Sequence, residues 1–105
     1  MNTAWRLLEI ERVMSENPDT FNTPPLELRM DLNVGDLVRV TFESLKPGYV
    51  TEHLWCLVYE VYGPGKYAGT VHDTSVMNPN LPKGANDPFL FEAKHVISMV
   101  NKTLA

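Results

Sequence analysis

Residues 52–74, EHLWCLVYEVYGPGKYAGTVHDT, read as two strands joined by a tight turn, and the rest of the chain is assigned around them. From Leu54 to Tyr62 nearly every residue is apolar, aromatic or β-branched, with Glu60 the single charge, a composition that suits a strand buried on both faces. Gly63-Pro64-Gly65-Lys66 supplies a type II turn, with Pro64 pre-setting φ at the first central position and Gly65 accepting the positive φ at the second. Pairing Tyr62 with Tyr67 sets Val58 opposite Val71 on one face. It sets Tyr59 opposite Thr70 and Leu57 opposite His72 on the other. Gly69 then faces Glu60, where a missing side chain permits a bulge or the close approach of another backbone.

Working outward, residues 36–43 alternate cleanly, with Val38, Val40 and Phe42 on one face and Leu37, Arg39 and Thr41 on the other, the pattern of a half-buried strand. Ser44 to Tyr49 forms a loop through Pro47-Gly48, and a long turn-rich connection runs from Ser75 to Pro88. Phe89 and Phe91 alternate in a further strand, a short turn follows at Glu92 to Lys94, and a last strand spans His95 to Val100. Ahead of these, Asn2 or Thr3 caps an expected helix to about Ser15, because Leu7, Ile10 and Met14 recur at helical spacing. Asn17-Pro18 ends it. The division is a helix within residues 1–17, an extended connection over 18–35 with one turn near Leu26 to Leu32, and a β domain over 36–100. The fold class is therefore α+β and mainly β: a small, strongly bent antiparallel sheet or partly open SH3-like barrel with one N-terminal helix.

A chain of 105 residues makes one domain, long enough to bury roughly two thirds of its unfolded surface without staples. Cys56, the single cysteine, cannot form an internal disulfide and lies in an apolar strand, which points to a buried, inert thiol and a reducing compartment. No run reaches the ~20 apolar residues of a membrane helix, and no signal peptide pattern opens the chain, so cytoplasmic residence is the expectation. The net charge is −4 and the nine Lys and Arg residues are scattered singly, which counts against a nucleic-acid partner held by its phosphates.

Several stretches together resemble the YegJ-like bacterial domains of unknown function: LNVGDLVRVTFE, EHLWCLVYEV, GKYAGTVHD and FEAKHVISM, covering about Pro25 to Met99. The resemblance rests on the Gly35-Asp36 turn, Trp55, Tyr67 with Gly69, and Phe91-Glu92 with His95. The chain departs from that pattern in the longer turn KGANDPF before the penultimate strand and in Leu57, where the family has a polar residue. The resemblance implies a small β domain of bacterial or mobile-element origin and brings no activity.

Chemistry-bearing motifs are few. His53, His72 and His95 match no metal-ligand spacing, no serine sits in a nucleophile elbow, and the GPGKYAG stretch lacks phosphate-loop spacing and a following helix. No cofactor is implied. His72 and Asp73, at a strand end beside the long loop, are the one candidate acid–base corner. The stronger signal is aromatic. Trp55, Leu57, Tyr59 and Val61 share one face of the central strand, and that stripe is either covered by the N-terminal helix or serves as an interface, with Arg39 as a neighbouring cation. The leading expectation is a non-enzymatic module binding a protein partner or a second copy through Trp55, Tyr59, Arg39, His72 and Asp73. The alternatives are a nucleic-acid-associated SH3-like module and a small hydrolase or ligand-binding domain built on His72 and Asp73.

Overall fold

The computed structural model describes residues 4–12, 23–74 and 76–100. Strand β1 spans Trp5–Leu7, helix α1 Leu26–Arg29, β2 Leu37–Ser44, β3 Glu52–Gly63, β4 Lys66–Val71, β5 Phe89–Glu92 and β6 Val96–Met99, with a 3-10 turn at Ala93–His95 between the last two. All neighbouring strands pair antiparallel in the order β1-β2-β3-β4-β5, and β6 returns to pair with β2. β1 takes Phe42 to Ser44 and β6 takes Val38 to Val40, so the two share the edge of β2 that β3 leaves open. The sheet thereby curls into a nearly closed barrel whose β5 and β1 edges form no ladder. That seam is bridged by side chains: Trp5 packs edge-on to Phe89 at 6.2 Å, and Lys94 pairs with Glu9 at 2.8 Å.

The alternation of β2 places Val38, Val40 and Phe42 fully inside, where they meet Leu54, Cys56 and Val58 of β3 and Tyr67, Phe89 and Phe91. The inner aromatic rings stack edge-to-face or tilted at 5.0–6.2 Å, an arrangement that adds to their area burial. Two polar groups tie α1 onto this core. The Tyr67 hydroxyl donates to the Arg29 carbonyl at 2.8 Å and accepts the Leu32 N–H at 3.2 Å. Arg29, itself buried, donates Nε to the Pro24 carbonyl and Nη1 to the Ala93 carbonyl and to Glu11.

Two sequence expectations are corrected. Trp5 to Leu7 form a strand where a helix was predicted, because β2 has an edge of N–H and C=O groups to satisfy and these three residues alternate in, out and in. Trp5 reaches Phe42, while Arg6 turns outward to Glu43. Residues 8 and 9 are irregular and residues 10–12 helical, and the predicted helix beyond residue 12 lies outside the described residues. Among the described residues, this segment contacts the core rings, Lys94 and Arg29.

The second correction concerns the hairpin register. Gly63 pairs with Lys66 around a two-residue Pro64-Gly65 connection, with Gly65 at φ 75° as the turn requires. Beyond it Val61 faces Tyr67, Glu60 faces Ala68, Val58 faces Gly69, Leu57 faces Thr70 and Cys56 faces Val71. Register shifts leave Tyr62 and Tyr59 as extra residues in β3, and these bulges turn both rings to solvent while keeping Val58 inside. Gly69 is where close approach matters: a Cβ there would lie 2.9 Å from the Phe91 ring and 3.2 Å from the Leu57 carbonyl.

Candidate functional site

The connection after β4 is held in shape by a carboxylate at the start of β3. Glu52 is only 8% exposed, and its two oxygens accept the N–H groups of Met77 at 2.8 Å and Asn78 at 2.9 Å. Asn78 Oδ1 in turn accepts the backbone N–H of Asn80 and its side-chain amide. Farther along, the Asp87 carboxylate accepts the Lys83 N–H at 3.0 Å, and the Asp87 N–H donates to the Gly84 carbonyl. A loop rich in turn residues thus acquires a fixed wall, since its backbone groups find partners inside it or on β3.

Between that wall and the end of β4 lies a cleft of about 370 Å3. Val71 and Leu81 form an apolar floor continuous with the core, Val76 and Pro79 line its sides, and Asp73 and Lys83 stand at its polar positions. The Asn78 side chain also borders it; Nδ2 is buried and has no hydrogen-bond partner among the described residues. An open apolar recess with a few fixed polar groups is suited to receiving one or two side chains of a ligand.

The residues singled out from the sequence divide into two groups. Arg39 and Trp55 are direct cross-strand partners, with the guanidinium carbon 5.7 Å from the indole centroid, a cation–π distance. His72 and Asp73 continue β4 beside them: the His72 N–H donates to the Trp55 carbonyl at 2.9 Å, and the Trp55 N–H donates to Asp73 Oδ2 at 3.5 Å. Four of the five therefore adjoin one another, with Asp73 common to this group and to the cleft. Tyr59 stands apart. It is itself the first bulge residue, on the turn side of Val58, and is 56% exposed.

The outer stripe is graded. Trp55 and Leu57 are half-buried, whereas Tyr59 and Val61 are exposed. On the same face, Thr41 Oγ1 and His53 Nδ1 share a hydrogen bond at 2.7 Å, and desolvation, then the Arg39 charge, holds His53 below its ordinary value. Cys56 is wholly buried, and burial followed by the Asp73 charge pushes its thiol up to about 12. It is no nucleophile at neutral pH. Among the described residues, no three His, Cys, Asp or Glu side chains lie together in a way that would hold a metal ion. No described helix is long and apolar enough to cross a membrane.

The cleft was not legible in the sequence. Its one signal was the length and turn content of residues 75–88, and nothing there indicated that Glu52 would reach across to hold it. Compared with protein-family models, curated proteins and solved structures, the chain matches none.

Proposed function

We propose that the protein is a non-enzymatic interaction module that takes a segment of a protein partner in the cleft between β4 and the 76–84 loop. The observation that carries this reading is the cleft itself: an apolar recess of about 370 Å3 whose loop wall is pinned by Glu52 and whose rim adjoins the Arg39–Trp55 pair. A preformed wall lowers the ordering cost of binding, and a half-buried Trp beside a cation is a side-chain pair suited to an interface anchor.

The finer classification belongs to the same proposal. A strand order in which a 3-10 turn passes the chain from β5 to β6 on the β2 edge supports an SH3-like kinship, and the YegJ-like resemblance enters on the same footing. The composition and single buried cysteine support residence in a reducing cytoplasm.

The test is a nuclease-treated pull-down from host lysate followed by NMR mapping of the captured partner on the labelled protein, set against Val76→Trp, which fills the recess. Shifts confined to residues 71–84 and Trp55, abolished in the variant, are the expected result. A partner that binds Val76→Trp as well as the native chain sinks the cleft reading. Retention on nucleic acid that falls steeply with salt would instead favour the nucleic-acid-associated module, which the half-buried Arg39–Trp55 pair could serve.

A further inference from the structure

The 3-10 turn Ala93–His95 carries the chain from β5 to β6 and so completes the barrel. A reciprocal pair holds it: the Glu92 carboxylate accepts the backbone N–H of His95, and the Glu92 N–H donates to His95 Nδ1 at 2.9 Å. Only a neutral ring with its proton on Nε2 can accept there. The Ala93 N–H bonds the Gly65 carbonyl on the β4 side, so by the alternation of an antiparallel ladder the Glu92 N–H points toward the open edge of β5. Among the described residues β5 pairs with β4 alone, and no described strand stands ready to replace the imidazole as acceptor.

We propose that His95 is an acid-released latch on this closure: protonation makes Nδ1 a donor, expels the Glu92 N–H, and loosens the junction between β5 and β6 while the remaining ladders stay paired. The charges that face the ring are Glu92 at the end of β5, Lys94 on the turn, Glu9 after β1, and Arg6, Arg12 and Glu43, which with His95 line a separate recess beside β1. Glu9 is already engaged by Lys94 at 2.8 Å and Glu43 by Arg6 at 2.6 Å, so two of the three carboxylates around the ring are matched by cations. Burial, followed by Lys94, holds the imidazole below its ordinary value of 6.5, while Glu92 and Glu9 pull the other way. With the folded value below the open one, the latch is closed at neutral pH and is released as pH falls through that interval.

The experiment is amide hydrogen exchange by NMR on the full chain, with the 15N shifts of the His95 ring recorded alongside. The latch requires the Nε2–H tautomer at neutral pH. It also requires the protection of the Glu92 amide, corrected for intrinsic exchange, to fall by up to about tenfold per pH unit below the ordinary histidine value, ahead of and more steeply than that of Cys56 and Val58. His95→Asn, whose Oδ1 accepts without titrating, should hold Glu92 protection level across the same range. An Nδ1–H tautomer, Glu92 protection that ignores the titration, or an H95N profile that declines as the wild type does would each overturn the proposal. If H95N fails to fold, the tautomer and the wild-type profile decide it alone.

Discussion

The Tyr67 hydroxyl is an exacting polar group in the core, because it answers both the Arg29 carbonyl and the Leu32 N–H. Tyr67→Phe keeps the ring on Phe91 but strands both backbone groups in a buried place. The expected loss is about 1–3 kcal/mol, read as a lower urea midpoint with an unchanged slope. At Cys56, a value near 12 against an ordinary 9.0 leaves about a thousandfold less thiolate at neutral pH. A thiol reagent should therefore fail to label the folded protein and label it at once in denaturant; rapid labelling of the native form would contradict the burial.

At the scale of elements, the β3–β4 hairpin depends on a residue without a side chain where β5 presses against it. Gly69→Ala drives a methyl into the Phe91 ring and the Leu57 carbonyl, and overpacking of this kind is expected to cost about 1–3 kcal/mol. Calorimetry would show it as a lowered Tm. The 76–84 loop depends on Glu52 in the same way. Glu52→Gln keeps the shape but offers one acceptor where two N–H groups converge, so either Met77 or Asn78 loses its partner. Faster exchange of those amides, with the β2–β3 ladder unaffected, is the expected signature, and the partner segment should bind more weakly because the wall is no longer fixed. Strand alternation in β2, the Pro64-Gly65 turn and the Phe89–Phe91 strand were all legible in sequence, since each follows from period-two patterning or turn chemistry within a few residues. Gly69 marked a place where a bulge is permitted, and one lies beside it at Tyr59, but the shifted register and the second bulge at Tyr62 were not legible, because an unbulged register satisfies local patterning equally well and the packing of Val58 and Tyr67 selects between them.

Across the whole molecule, acid should weaken the fold. His53 and His95 both lie below the ordinary value of 6.5, each chiefly through burial. A histidine depressed in the folded state contributes stability that is fully present above its unfolded value and is lost as pH falls through the folded one. Thermal midpoints should hold level above about pH 7 and begin to fall below the ordinary histidine value of 6.5; the double variant His53→Gln, His95→Asn should lose that early part of the decline. A curve flat down to the carboxylate range would remove the histidines from the account. By itself the sequence determined a mainly-β fold, the identity of its core strands, the turn that reverses β3 into β4 and the burial of Cys56, because hydrophobic period and turn residues are local properties. Only the tertiary structure decided that Trp5 to Leu7 would be a strand, that Glu52 would brace a loop 25 residues away, and that Asp73 would border both a cleft and Trp55. Those outcomes depend on which backbone groups remain unpaired once the barrel curls, a condition met between residues distant in the chain.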